Sequence, residues 1–230
     1  NYGPIARGVG FKGEYCTNMF EDCRNKILDF FGLDGCNSHT VVYTKSDTES
    51  LNILANTLIN NKDDMILTSR MEHHANDLPF RNVGKVVYVD VDELGRINVN
   101  DVEEALIKNN GKIKVITITG ASNVTGYVNP IHEIAKLAHK YNALIIVDGA
   151  QLIAHKKVDM KGSCEEESID FLTFSAHKAY APFGSGAIVG RKDYLNSNKP
   201  FFSGGGCVSG VFDEEVIWTA VPEKFEAGTQ

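Results

Sequence analysis

The stretch Asn129-Pro-Ile-His-Glu-Ile-Ala-Lys-Leu-Ala-His-Lys-Tyr-Asn-Ala-Leu-Ile-Ile-Val-Asp-Gly-Ala-Gln151 carries two periods side by side. Its first half places Ile131, Ile134, Ala135, Ala138 and Tyr141 at the spacing of one helix face. Asn129 reads as the cap, with Pro130 at the first helical position, where the missing N–H costs nothing. The second half, Leu144–Val147, is a short continuous apolar run, as expected of a strand covered on both faces. A helix leading at once into a doubly covered strand is the unit from which α/β sheets are built.

The same alternation extends in both directions. Thr40–Thr44, Met65–Ser69, Val86–Asp90, Ile113–Thr119, Phe171–Phe174 and Ala187–Gly190 read as further strands. Leu51, Leu54, Ala55, Leu58 and Ile59 fall at helical spacing. Asp101, with Glu104 three residues on, resembles a capping box for a short helix holding Val102, Ala105 and Leu106. An earlier helix, with Met19, Phe20, Cys23, Ile27, Phe30 and Phe31 on one face, is expected to pack outside the sheet. There is no internal repeat and no Pro/Ser-rich linker, so residues 1–230 read as one domain. The pattern predicts an α/β three-layer sandwich with a mainly parallel sheet.

Bulk properties narrow the function. The net charge of −7 without a Lys/Arg cluster argues against a nucleic-acid surface. No run of ~18 apolar residues is present to span a membrane. Asn1–Gly10 lacks the apolar centre of a signal peptide. Five cysteines, an odd number without C-x-x-C spacing, predict reduced, buried thiols in a cytoplasmic protein rather than disulfides or a metal site. The chain opens without Met and stops at Phe225-Glu-Ala-Gly-Thr-Gln230, and reads as a piece of a longer protein.

In open α/β sheets, ligands bind beyond the carboxyl ends of the strands. Unusual residues stand there: Asp148 after Leu144–Val147, and Ser175, His177 and Lys178 after Phe171–Phe174. Asn123 follows Ile113–Thr119, Glu72-His73-His74 follows Met65–Ser69, and Ser46-Asp47-Thr48 follows Thr40–Thr44. Singly, each has a plain explanation: a turn former, a solvated lysine, a structural histidine pair, a helix cap. Together they match the needs of pyridoxal 5′-phosphate: an amine, an anion near the pyridine nitrogen, a ring to stack on, and a phosphate cradle. Lys178, Asp148, His73 and the helix start near Thr48 supply these four in turn.

At these residues the sequence resembles a known family. Glu72-His-His-Ala-Asn76, Val147-Asp-Gly-Ala-Gln151, Ser175-Ala-His-Lys178, Gly204-Gly-Gly206 and Phe225-Glu-Ala-Gly-Thr229 are similar to the motifs of class V aminotransferases. Within that family they look most like cysteine desulfurases and selenocysteine lyases. The resemblance implies the large domain of fold type I of pyridoxal-phosphate enzymes, with the C-terminal small domain lying outside this chain. It makes Lys178 the Schiff-base lysine, Asp148 the partner of the pyridine nitrogen, and Gln151 a hydrogen-bond donor to the cofactor's phenolic oxygen.

By the same resemblance, His73 stacks on the ring, Thr48, Ser175 and His177 bind phosphate, and Asn123 lies near the substrate carboxylate. Thr229 would reach the phosphate of the neighbouring subunit, which implies a homodimer. The implied reaction turns cysteine into alanine, leaving persulfide sulfur on an enzyme cysteine for a sulfur-acceptor protein. Transamination, epimerisation, selenocysteine or kynurenine-type cleavage, and a degenerate non-catalytic homologue are the alternatives. The family's persulfide cysteine and substrate-binding arginine fall outside this chain, and Cys207 is expected to be a buried, incidental thiol.

Two departures bear on the substrate. Ala6 precedes Arg7-Gly8 where the desulfurase pattern often has His, and Ser46-Asp-Thr-Glu49 replaces Gly-Thr-Thr-Glu. A carboxylate at Asp47 would repel phosphate, so Asp47 is expected to face away. Glycines 204–206 are not a dinucleotide loop, since no G-x-G-x-x-G joins a strand to a helix.

Overall fold

The computed structural model describes residues 3, 5 and 10–228. The elements in chain order are α1 (Gly10–Phe30), β1 (His39–Thr44), α2 (Asp47–Leu58), β2 (Met65–Ser69), α3 (His74–Val83), β3 (Lys85–Val89), α4 (Val99–Lys108) and β4 (Ile113–Thr119). There follow α5 (Ile131–Lys140), β5 (Leu144–Asp148), β6 (Phe171–Ser175), β7 (Gly186–Arg191), α6 (Lys192–Ser197), β8 (Val208–Val211) and β9 (Val216–Trp218). Seven strands form one sheet in the order β1-β7-β6-β5-β4-β2-β3. The pairings β2–β3, β2–β4, β4–β5 and β5–β6 are parallel, whereas β7 runs antiparallel to β6 and β1.

Successive strand side chains point to opposite faces, and each face of this sheet has its own core. Ile145, Val147, Leu172, Phe174 and Val189 pack with the α4 and α5 residues Val102, Leu106, Ile134 and Ala138. Ile146, Phe171 and Ile188 point the other way, onto Leu51 and Leu54 of α2, Phe80 of α3 and Leu195 of α6. Two apolar faces need two helical layers, and the three-layer sandwich read from the sequence is the fold observed. Gly186 sets how closely α2 approaches: a Cβ there would stand 2.9 Å from the Ser46 carbonyl carbon and 2.7 Å from Phe174 O. Only glycine lets the start of α2 rest against β7.

Several local expectations change. Asn129 does not cap α5; its amide donates to Thr119 O at 2.7 Å, while Pro130 precedes the helix without a side-chain cap. A buried carbonyl at the end of β4 needs a donor more than the exposed turn needs a cap. Helix α4 starts before Asp101, with Asn98 Oδ1 accepting the Asn100 N–H at 3.0 Å.

On α1, Met19 and Phe30 are half exposed and Cys23 is exposed; the buried positions are Gly13 and Arg24. The Arg24 guanidinium bonds Glu226 and stacks over Phe20 and Tyr43, and this buried charge fastens the helix together with Ile27 and Leu28, which pack on the core beside Phe31. All five thiols are free, as expected, yet only Cys207 is buried. Its Sγ donates to Gly204 O at 2.8 Å. Neither α6 nor the β8–β9 hairpin is foreseen by the sequence reading. No helix among the described residues is long and apolar enough to cross a membrane.

Candidate active site

A cavity of about 290 Å³ opens at the carboxyl ends of the strands. Thr48, His73, Asn123, Asp148, Gln151, Ser175, His177 and Lys178 all line it. These are every site residue expected from the sequence except Thr229, which, like Ala6, Arg7 and Gly8, lies outside the described residues.

Period-two geometry explains the convergence. Asp148 shares a face with Ile146, and Ser175 and Thr173 share one with Phe171, so all three polar groups look toward α2. Asp148 and Thr173 stand side by side in the β5–β6 register. Lys178 follows in a 3₁₀ turn, Ala176–Ala179, which carries it back over the sheet end.

The start of α2 is fastened to the sheet by one bond and capped by another. The Asp47 N–H donates to Ser175 Oγ at 2.8 Å, and Ser46 Oγ accepts the Glu49 N–H at 3.2 Å. Thr48 is left exposed at the cavity wall, on the first turn, where the helix presents its positive end.

His73 is held by its own backbone, because Nδ1 accepts the Ala75 N–H at 3.1 Å. That bond leaves Nε2 to carry the proton of the neutral ring. Beneath it, Glu72 accepts from Ser69 Oγ and from Asn76 Nδ2, the latter at 2.7 Å, and Thr117 Oγ1 donates to Asn76 Oδ1 at 2.6 Å. This network ties the turn bearing His73 to β2 and β4.

The electrostatics come from buried acids. Burial pushes the Glu72 carboxyl up from 4.5 to about 8, against the bonds from Ser69 and Asn76. Asp148 is also raised by burial, opposed by the Ala150 N–H, Asp47, Lys178 and His73. Asp47 overturns its expected orientation. It is 6% exposed, lines the cavity, and is raised well above the carboxylate range by burial and then by Asp148. The phase of α2 is the reason: Asp47 lies one turn before Leu51 and two before Leu54, on the buried stripe. Two like charges ~4 Å apart cost ~4 kcal/mol at an effective dielectric of ~20. A helix N-terminus returns only ~0.3–1 kcal/mol. Repulsion within the pair therefore outweighs what the helix end returns, in line with the upward direction of both acids.

A second cavity, about 390 Å³, lies between Thr44, Lys45 and Glu49 on one side and Phe202–Gly205 and Ala227–Gly228 on the other. It contains none of the residues Asp148, His73 and Lys178. Gly204–Gly206 line this opening or lie next to it, away from the acid–lysine cluster.

A doubly covered, mainly parallel sheet with a lysine, a buried acid, a histidine and a helix start in one cavity defines a ligand-binding α/β protein. The chain belongs to the class-V aminotransferase family, whose model matches residues 1–230. It is 33% identical to a probable cysteine desulfurase of Halalkalibacterium halodurans, over 98% of this chain and 55% of the relative. It is likewise 33% identical to a cysteine desulfurase of Haloferax volcanii, over 98% of this chain and 53% of that protein.

Among solved structures, the apo cysteine desulfurase from Thermococcus onnurineus superposes with a TM-score of 0.87 at 30% identity, covering 99% of this chain and 56% of that one. The Escherichia coli cysteine desulfurase CsdA follows at 0.84 and 28%, covering 99% and 57%. The chain thus spans about half the length of the relatives it matches.

Proposed function

We propose that this chain is the cofactor-binding large domain of a pyridoxal-phosphate-dependent cysteine desulfurase, which releases alanine from L-cysteine and passes the sulfur to an enzyme cysteine. The observation that carries the reading is the meeting of Lys178, Asp148, His73, Gln151 and Thr48 in one cavity. The residues fit the group. Asp148 is a buried acid that the neighbouring Lys178 and His73 favour in its charged form, and Thr48 and His177 face the same space.

Bound there, pyridoxal phosphate would supply an electron-withdrawing ring and a carbonyl carbon for Lys178 to join. Lys178 would anchor the cofactor through its Nζ, and its amine would serve as the base for the substrate's Cα proton. Asp148 holds a proton on the ring nitrogen. His73 stacks on the ring and, with its proton on Nε2, is arranged to donate there. Gln151 orients the phenolic oxygen, Thr48, Ser175 and His177 hold the phosphate, and Asn123 receives the substrate carboxylate. Among the described residues, those lining the cavity include no cysteine and no arginine, and the sulfur acceptor and the carboxylate clamp are assigned to other parts of the protein.

A homodimer completes the proposal. The exposed apolar residues Val211, Phe212, Val216 and Ile217 on the β8–β9 hairpin support it. So does the tail motif, whose Thr229 would complete the partner's phosphate site. Cysteine and the sulfur-acceptor protein are the proposed partners, in the cytoplasm.

Borohydride reduction of the full gene product after loading with pyridoxal phosphate tests the anchor. A phosphopyridoxyl mass on the Lys178 peptide, absent in Lys178→Ala, is expected, together with alanine and sulfide from cysteine. Scattered labelling of surface lysines would sink the proposal. An oxo acid without sulfide would move it to another reaction on the same scaffold.

A further inference from the structure

Asp47 has no place in the assignment above, yet it is among the least exposed groups at the cavity. Its Oδ1 is buried and has no hydrogen-bond partner among the described residues. It faces Asp148 and Thr173 from the first turn of α2. Asp148 is better supplied: its Oδ1 accepts the Ala150 N–H at 2.9 Å, and Lys178 and His73 act on it from the cavity. A single negative charge shared between the two acids therefore settles on Asp148, and the proton on Asp47.

We propose that Asp47 is a positioning residue that stays protonated and donates a hydrogen bond to Asp148, so that the pair presents one negative charge to the cofactor's ring nitrogen. The proposal rests on the pyridoxal-phosphate reading of this cavity. It explains how an acid is tolerated at the turn that would hold the phosphate: protonated, it does not repel that anion. Burial and the proximity of Asp148 both raise Asp47, which agrees with the proton placement. The protonated acid also limits the charge on Asp148, and so limits how firmly the ring nitrogen keeps its proton.

The consequence is a pH dependence that belongs to Asp47. When Asp47 loses its proton at alkaline pH, the pair becomes doubly charged, and cofactor affinity falls. The other titratable groups facing the pair are Glu72, His73, His177 and Lys178. They are unchanged in an Asp47 variant, so the difference between two proteins isolates Asp47.

Cofactor Kd is to be measured from about pH 6 to about pH 10 on the full gene product, wild type against Asp47→Asn. Alongside it, the ¹⁵N signal of ring-labelled pyridoxal phosphate reads the nitrogen's proton. We expect Asp47→Asn to bind within about threefold of wild type at pH 7 and to lose an alkaline fall of tenfold or more. We also expect the ring nitrogen to lose its proton at lower pH in Asp47→Asn than in wild type, because the variant lacks the second negative charge that wild type gains at alkaline pH. Asp47→Thr, which also lacks the carboxyl, is expected to behave alike and serves if the Asn variant does not fold. Superimposable pH profiles and ¹⁵N titrations in wild type and variants overturn the proposal, while a borohydride adduct on Lys178 still stands. Absence of that adduct in the wild type overturns the cofactor reading and this proposal together.

Discussion

Asp148 and Glu72 are acids of the same region with opposite prospects. Asp148 has Lys178 and His73 to favour its charge, whereas Glu72 has neutral donors, Ser69, Asn76 and the Thr119 backbone. Removing the charge at the first should damage binding. Asp148→Asn is expected to weaken pyridoxal-phosphate binding at least ~10-fold, or ~1.4 kcal/mol, read by absorbance titration, with the fold retained by circular dichroism.

Removing the acid at Glu72 should change how stability depends on pH. Its folded value, about 8, lies above the ordinary 4.5. Between those values the native state binds more protons than the unfolded chain, so stability falls as pH rises through that window. Glu72→Gln removes this slope. Its stability relative to wild type should climb from about pH 5 to about pH 8, by no more than ~1.4 kcal/mol per pH unit. Urea unfolding at several pH values reads it, and parallel curves would refute the assignment.

At the scale of elements, what was legible depended on whether burial or a local cap decided the outcome. Ile113–Thr119 and Met65–Ser69 are strands at the bounds read from their apolar runs, because both faces of each are covered. The α4 start was misplaced because Asn98 caps as well as an Asp–Glu pair does, and the pattern alone does not rank them. The β8–β9 hairpin escaped notice because it packs on neither core, so its alternation is short and interrupted by Gly210.

The site residues were legible because each follows a strand. The orientation of Asp47 was legible in principle as well: its i+4 relation to Leu51 puts it on the buried stripe, a signal that charge alone obscured. Asn76 shows how one element positions another. It is fully buried and bridges Glu72 to Thr117. Asn76→Ala leaves both partners unsatisfied and should cost ~1–3 kcal/mol in chemical denaturation, with weakened cofactor binding through His73.

Over the whole molecule, the longest reach is made by Arg24. Its guanidinium bonds Glu226 at 3.0 Å, and Glu226 in turn accepts the Tyr43 N–H at 2.8 Å. Three distant segments, α1, β1 and the chain end, are fastened at one buried charge pair. Glu21 shares the same guanidinium, at 3.0 Å, so Arg24 keeps one counter-charge when Glu226 is removed. Glu226→Ala leaves Arg24 with Glu21 and the Tyr43 N–H without its acceptor, and should cost ~1–3 kcal/mol and loosen α1, which hydrogen exchange across Gly10–Phe30 would register. A loss under ~1 kcal/mol would show that water reaches the pair.

The antiparallel seating of β1 against β7 has a consequence in time. On the ribosome, Val41 and Val42 leave the exit channel long before Ile188 and Val189, the residues that will flank them in the sheet. At ~5–20 residues per second, that interval lasts roughly 7–30 s. Throughout it the first strand is an orphan, and the helix it introduces has no β7 surface to settle on. The turn holding Asp47 and Thr48 is thus translated early and assembled late, so that wall of the cavity is completed only after Lys178, which lines the same cavity, has been made.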